Sequence, residues 1–369
     1  MTPAYDYLIV GTGLFGSTFA HLAMKQGKKV LMIDKRPHIG GNIYTEKRDG
    51  INVHVYGAHI FHTSNKKVWN YVNQFAEFNH YVNRPKVNYK NNIYSFPINM
   101  MTLYQLWGVK TPEEAKLKLE TVKEPIESPK NLEDWVLSQV GREIYETFVK
   151  GYTTKQWQCS PTELPTFIIR RLPIRLTYDD NYFNDCYQGI PKGGYTQIAE
   201  KMTAGAEIQL GVDYFENKAE WDNKATKVLY TGPIDAYYDY EYGELNYRTL
   251  KFDHENLDIP DFQGNAVINY THEDVPYTRI LEHKHFEFED TNNTIITREY
   301  PDSWDKSKVP YYPMNNDTNN AIYTQYKERA EQEKSVLFGG RLAEYKYYDM
   351  HQVIASAISS AEKELGITV

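Results

Sequence analysis

The sequence predicts an α/β protein with a Rossmann-like dinucleotide-binding domain, an inserted helical domain and an antiparallel β-sheet domain. Three observations point there. The chain opens with strand, glycine turn, helix and strand; capped helical segments fill residues 97–173; and alternating apolar and polar residues take over from about 237 to 300.

The opening reads "YDYLIVG", then "TGLFGSTFAHLAMKQG", then "KKVLMIDK". Gly11, Gly13 and Gly16 form G-x-G-x-x-G between the first strand and its helix. The first glycine permits the tight turn, the second lets the backbone approach a pyrophosphate, and the third allows close packing of helix on strand. Unpaired N–H groups at the helix start suit the anion, and Asp34, closing the next strand, can accept from a ribose hydroxyl. The run "RPHIGGN" adds Arg36, Gly40 and Gly41 and resembles the signature of amine-oxidase-like flavoproteins, which favours FAD over NAD. No second G-x-G-x-x-G provides a nicotinamide domain. A flavin here is reduced by substrate, by an external donor, or once before many turnovers.

In the helical insert, Thr111, Pro112 and Glu114 place an N-cap, a first-turn proline and a capping-box glutamate at the right offsets, and Ser160, Pro161 and Glu163 repeat the pattern. The runs "NAVINYT", "RILEHKHFEF" and "NTIITREY", with "EDTNNT" as a polar turn, read as an antiparallel sheet. In the tail, "SVLFGGRL" reads as a buried strand and "DMHQVIASAISSAEKELG" as an amphipathic helix; Gly339, Gly340 and the helix start near Asp349 resemble the flavoprotein segment whose helix N-terminus faces the flavin ring. With no linker or repeat in view, the domains are expected to interleave. Residues 1–80, 190–240 and 334–369 would form the FAD-binding domain, 97–173 the helical domain, and 81–96, 174–189 and 241–333 the sheet domain.

A formal charge of -8, from 41 basic and 49 acidic residues, argues against a broad nucleic-acid or anionic-membrane surface. Neither a signal peptide nor a membrane span fits the N-terminus, so a cytoplasmic protein is expected. Cys159 and Cys186 are expected as packing residues rather than as a disulfide or zinc ligands. The 32 tyrosines suit strand faces, and also nucleotide and carbohydrate pockets.

One short stretch, "FVKGYTTKQW", sets aromatics beside lysines and threonine hydroxyls, and "FIIRRLPIR" follows with Arg170, Arg171 and Arg175. "PYTRILEHK" adds Arg279. Arginine captures phosphate through several hydrogen bonds and aromatic faces stack bases, so a nucleotide diphosphate fits the pattern. A single helical arginine is more often merely solvated.

These runs, with "GAHIFHT", "YQGIPKGGYTQI", "YTGPIDAYY" and "GGRLAEYKYYDM", together resemble the bacterial UDP-galactopyranose mutases over almost the whole chain, in order. The resemblance implies an FAD enzyme, active in the reduced form, that interconverts UDP-galactopyranose and UDP-galactofuranose without net redox. In that family reading, flavin N5 attacks the anomeric carbon and displaces UDP. The sugar ring then opens as a flavin-sugar iminium before reclosing. Position by position, it implies that Tyr152 with Phe148 nearby stacks uracil, that Thr153 and Trp157 reach toward ribose, phosphate and sugar, and that Arg171 and Arg279 clamp the diphosphate. Tyr182, Tyr312 and Tyr347 become hydroxyl donors to phosphate, although Tyr311 competes with its neighbour for that role. Phe183 and Asn269 join the uridine pocket, and Asp349 lies near flavin and sugar. Around the flavin it sets Gly11, Gly13, Phe15, Gly16, Asp34, Lys35, Gly41, Asn42, His59, Ile60, Val212, Gly340, Arg341, Tyr347, Asp349 and Met350. A homodimer serving cell-wall polysaccharide synthesis is also implied.

His59 and His62 are spaced like metal ligands, but a zinc site needs three or four and the sequence offers no partner cluster, so no metal is expected. His59 is the expected flavin contact and His62 structural. His283 and His285 should share a solvated strand face. Two rivals remain: a flavin oxidase or dehydrogenase, which would consume oxygen on turnover, and a nucleotide-sugar sensor, which would bind without changing its ligand.

Overall fold

The computed structural model describes residues 3–166 and 174–369, so Arg170 and Arg171 lie outside the described residues. Successive side chains of a strand point to opposite faces. Tyr5–Val10 therefore sends Tyr7 and Ile9 to one side of a sheet and Leu8 to the other, as Val30–Asp34 does with Met32 against Leu31 and Ile33. Both faces are consequently covered. Helices Leu14–Lys25 and Met350–Leu365 pack on the first through Phe19, Ala20, Ile354 and Ala357, while Tyr214 and Trp221 cover the second. The sheet has five parallel strands, ordered Val336–Phe338, Ala225–Tyr230, Tyr5–Val10, Val30–Asp34 and Glu207–Leu210. Segments far apart in sequence thus build one Rossmann-like layer.

A second sheet of seven strands runs in the order Tyr312–Pro313, Tyr247–Leu257, Thr294–Asp302, Arg279–Glu282, Val267–Tyr270, Lys86–Tyr89 and Asn92–Ser95. Every pairing is antiparallel except Val267–Tyr270 with Lys86–Tyr89, which is parallel. The strand Tyr187–Gly189 pairs with Phe61–Thr63 instead of joining this sheet, which ties the "GAHIFHT" loop to the segment carrying Tyr182 and Phe183.

Against the seven-stranded sheet pack helices Met100–Trp107, Pro112–Val122, Leu132–Ile144 and Gly151–Trp157, with a π-helical turn at Tyr145–Lys150. Thr111 and Glu114 form the expected reciprocal cap, each accepting from the other's N–H at 3.3 Å. The second box, at Ser160, caps only the short 3-10 turn Pro161–Glu163.

Two expectations need correcting. "RILEHKHFEF" is not one strand: Arg279–Glu282 ends at His283, which turns helical (φ -69°, ψ -34°), and Lys284–Glu287 makes a single turn. The buried Glu282 carboxylate gathers the N–H groups of Phe262 and Gln263, both at 2.8 Å, and the hydroxyl of Thr294 at 2.7 Å, an anchor that polar alternation cannot signal. His283 is accordingly fully buried and bonded to Thr297, not solvated. Cys186, expected in packing, is exposed. Among the described residues no helix is long and apolar enough to cross a membrane.

Candidate functional site

The glycine turn is built as its spacing requires. Gly11 has φ +109°, and a Cβ there would lie 2.1 Å from Thr231 Oγ1; a Cβ on Gly16 would lie 2.1 Å from the Gly11 carbonyl. Gly13 differs, since its nearest obstacle is Gly41 Cα at 3.9 Å. Space is therefore left beside the start of helix Leu14–Lys25, which has no side-chain cap on its N–H groups. Asp34 receives the Thr12 N–H and hydroxyl at 2.8 and 2.7 Å and the Arg36 N–H at 2.9 Å. The Arg36 guanidinium sits 4.2 Å from the Tyr56 ring centroid and donates from Nη2 to Asn42, while its buried Nη1 has no partner among the described residues. A buried, unpartnered guanidinium nitrogen beside uncapped helix N–H groups is a fit for a pyrophosphate.

Phe15 is buried beneath the tail, leaving no room for a Cβ on Gly339, whose position is 2.1 Å from the Phe15 ring. Val212 N–H donates to the Asp34 carbonyl, and Lys35 pairs with Asp213 at 2.9 Å. Gly340 turns at φ +90° into the segment carrying Arg341, Tyr347 and Asp349. Ile60 and Met350 are half-buried. His59 shares its Nδ1 proton with the Gly57 carbonyl at 2.8 Å. Burial, with Arg341 and Arg36 nearby, pushes its pKa down to about 4 despite that bond, so the ring is neutral at pH 7.

The second half of the site is a row across the seven-stranded sheet. Asn269 is the cross-strand partner of Arg279, and Arg279 is that of Glu299. Arg279 Nη2 donates to the Tyr152 hydroxyl at 3.0 Å, and its Nε lies 3.2 Å from a Glu299 carboxylate that is 4% exposed. Burial raises Glu299 above the usual carboxylate range and Arg279 opposes the rise. Tyr312 and Tyr347 stack at 5.0 Å, with Arg341 5.2 and 5.8 Å from their centroids. Tyr182 and Tyr347 keep 44% and 58% of their surface open, lining the cleft, while burial of their hydroxyl ends raises both. Between the adjacent tyrosines, Tyr312 faces this cluster; Tyr311 turns away against Phe252, near Arg36 and Tyr56.

Other expected residues are distributed around this row. Phe148 is a core residue stacked on Phe96, so its ring is not an open face, and Thr153 is buried as well. Trp157 lies under the Arg248 guanidinium at 4.3 Å, and Arg248 also donates to the carbonyls of Gln156 and Trp157. Phe183 stacks on His62 at 3.7 Å, and His62 Nδ1 is 2.7 Å from Asp185. Sequence reasoning missed Arg248, Glu299, Asp185 and the anchoring of Lys155, all defined by partners distant in the chain.

Contrary to the expectation that His62 has no partner cluster, His62, Asp349 and His351 bring three ligand atoms within 4.8 Å of one another. They meet at the N-terminus of helix Met350–Leu365, whose positive partial charge opposes a cation, and His62 is already paired with Asp185. Asp261, Glu282 and His285 form the other such group. Burial works against the Glu282 charge, yet hydrogen bonds from His285, Thr294 and two backbone N–H groups hold its pKa at about 2, so that carboxylate is already satisfied.

Residues 147–347 match the family model described as UDP-galactopyranose mutase, and residues 9–75 match that of an NAD(P)-binding Rossmann-like domain. The chain is 43% identical to a probable UDP-galactopyranose mutase of Klebsiella pneumoniae, covering 98% of this chain and 94% of that one. It is 42% identical to the dTDP-fucopyranose mutase of Escherichia coli, covering 96% and 97%. The crystal structure of a reduced UDP-galactopyranose mutase superposes with TM-score 0.74 at 12% identity, over 99% of this chain and 96% of that one, a likeness of fold.

Proposed function

The chain belongs to the UDP-galactopyranose mutase family, and on that premise we propose that it interconverts UDP-galactopyranose and UDP-galactofuranose with FAD held in its reduced form. The observation that carries the substrate reading is the row Asn269, Arg279 and Glu299 with the Tyr152 hydroxyl on Arg279. Arginine has five N–H donors; the Tyr152 hydroxyl accepts from one and Glu299 neutralises the charge from 3.2 Å without hydrogen-bonding to the buried Nε, leaving the others for diphosphate oxygens. Arg171 supplies the opposing arginine in this reading. Tyr182, Tyr312 and Tyr347 line the cleft as protonated phenols at neutral pH, and so as hydroxyl donors to anionic oxygens.

The residues of the glycine turn fit FAD, with Gly13 and Arg36 at the pyrophosphate and Asp34 at the ribose. Bound and reduced, the flavin supplies a nucleophilic nitrogen, which allows ring contraction without net redox. The protein's part is orientation and charge. Neutral His59 leaves Nε2 as an acceptor beside Arg341, and Asp349, at the start of helix Met350–Leu365, sets a carboxylate where the helix N-terminus favours it. The family likeness also supports a cytoplasmic homodimer whose product enters cell-wall polysaccharide; light scattering checks the dimer.

The near-equal likeness to the dTDP-fucopyranose mutase supports a second reading, the same ring contraction on a dTDP-6-deoxyhexose. Incubating the reduced protein with each sugar nucleotide and separating the products decides between them. Conversion of the UDP sugar is expected. Exclusive conversion of the dTDP sugar installs the second reading, and tight binding with no conversion of either makes the protein a sensor.

A further inference from the structure

Lys155 belongs to the stretch "FVKGYTTKQW", and its ammonium meets backbone carbonyls of a distant turn. Its Nζ lies 2.7, 2.9, 2.9 and 3.0 Å from the carbonyl oxygens of Tyr270, His272, Val275 and Tyr277. Those four carbonyls belong to the turn joining Val267–Tyr270 to Arg279–Glu282, the strands that carry Asn269 and Arg279. An ammonium has three N–H groups, so four oxygens converging on it hold it as they would hold an ion. Carbonyl oxygens replace the hydration shell of potassium in the same manner. Four carbonyl dipoles aimed at one point also repel one another unless a positive charge occupies the centre.

Two further contacts press the same helical segment onto this turn. The Thr271 hydroxyl donates to the Thr147 carbonyl at 2.6 Å, and a Cβ on Gly151 would come 2.2 Å from the Thr271 carbonyl. Thr147, Gly151 and Lys155 are spaced four apart, so one side of the segment lies on the turn while Tyr152 reaches Arg279. Glu273 is the charged group that faces the ammonium, and burial still brings the amine down to about 8.

We propose that Lys155 is the built-in cation of a four-carbonyl cage, and that by closing this cage it positions Tyr152 on the helix against Arg279 and Asn269 on the sheet. It is a positioning residue, remote from the flavin turn. The inference rests on the nucleotide-diphosphate reading of that cleft.

The test uses flavin-loaded protein and UDP binding by calorimetry, in choline, sodium, potassium or ammonium chloride at equal ionic strength. In choline, Lys155→Ala is expected to weaken UDP binding by about tenfold or more, the scale of a misplaced positioning group, with flavin content unchanged. Potassium or ammonium restores most of the loss, and the smaller sodium ion restores less. Lys155→Met fills the cage with an uncharged chain and is not rescued by any salt. Wild-type affinity in Lys155→Met, or a deficit in Lys155→Ala that is the same in all four salts, overturns the proposal. Should Lys155→Ala fail to fold in choline, recovery of soluble yellow protein in potassium or ammonium supports it, and equal insolubility in every salt overturns it. Failure of the wild type to bind UDP refutes the nucleotide reading, a result distinct from any of these.

Discussion

Removing the Arg279 guanidinium should produce two losses that a second substitution can separate. Glu299 is 4% exposed and its ion-pair partner among the described residues is Arg279. Arg279→Ala therefore strands a buried carboxylate, which typically costs about 3 to 5 kcal/mol of stability. It also removes a charge-assisted contact to phosphate, about 1.5 to 3 kcal/mol, or roughly 10- to 150-fold in kcat/KM at about 1.36 kcal/mol per decade. The first loss depends on pH. Burial already raises the folded pKa of Glu299, and removing Arg279 removes the charge that opposes the rise. A carboxyl that holds its proton more tightly when folded loses stability as pH rises from the ordinary carboxylate value through the raised one, and levels off above it. The deficit of Arg279→Ala should thus be small in mild acid and full in mild alkali. Adding Glu299→Gln should restore most of the stability and flatten the pH dependence while leaving UDP affinity and turnover impaired. Urea unfolding followed by tryptophan fluorescence, with UDP calorimetry on the same samples, reads both quantities. A double variant as unstable as the single one refutes the buried-pair argument. Recovery of UDP affinity in the double variant would show that Arg279 only neutralises Glu299 and does not grip the diphosphate.

Gly13→Val should fold and melt normally yet purify without flavin, because its Cβ meets nothing closer than 3.9 Å in the protein and fills the pyrophosphate approach; Gly16→Val, with a carbonyl 2.1 Å from the new Cβ, should lose about 1 to 3 kcal/mol or more by denaturant titration. Burial lowers His54 to about 3, with His59 adding to the shift in acid, and lowers His59 to about 4 against the Gly57 hydrogen bond and with Arg341 and Arg36 nearby. Their neutral forms therefore stabilise the fold fully above the ordinary histidine pKa, and stability falls as pH drops from about 6.5 through those values by roughly 1.36 kcal/mol per unit each; acid unfolding curves should become shallower in His54→Gln. Isomerisation should be nearly absent in the oxidised protein and appear after one chemical reduction, with no stoichiometric consumption of reductant, as product chromatography beside a reductant assay would show.

What could be read from sequence tracks how local each interaction is. The turn at Gly11, Gly13 and Gly16 depends on adjacent residues and on sterics that only glycine relieves, so its spacing carried the cradle. Arg279 stood out only through the family resemblance, since an arginine beside aromatics is by itself more often merely solvated. Glu299 was not, since "REY" in a strand gives no sign that the register sets its carboxylate opposite Arg279. Lys155 is the extreme case: its partners are backbone carbonyls 115 to 122 residues away, and a carbonyl has no letter in the sequence. His283 was misplaced for a related reason. Alternation assumes that polar residues face water, whereas Glu282 and His283 point inward to partners that satisfy them. The resemblance set Phe148 beside the stacking Tyr152, and only packing shows its ring turned into the helical core.

The two halves of the site are held by different kinds of contact, and that difference predicts which faults each will tolerate. The flavin cradle sits on one parallel sheet with short-range support, the Asp34 carboxylate bonded to Thr12 and Arg36. The proposed nucleotide site draws Tyr152 from helix Gly151–Trp157 and Arg279 from the seven-stranded sheet, so it should depend on that helix staying docked. Two half-buried cations staple that joint in opposite directions. Lys155 reaches from the helix to carbonyls of the sheet turn, and Arg248 reaches from strand Tyr247–Leu257 to the carbonyls of Gln156 and Trp157 at the helix end. Burial lowers both, Lys155 to about 8 and Arg248 to about 10, while the carbonyl oxygens they meet are neutral, so neither staple is an ion pair that salt would screen away. Loosening either should weaken substrate binding and leave flavin in place, whereas lesions in the glycine turn should remove the flavin and leave the helix docked. Flavin content and UDP affinity should therefore respond separately to lesions in the glycine turn and in this joint between helix and sheet.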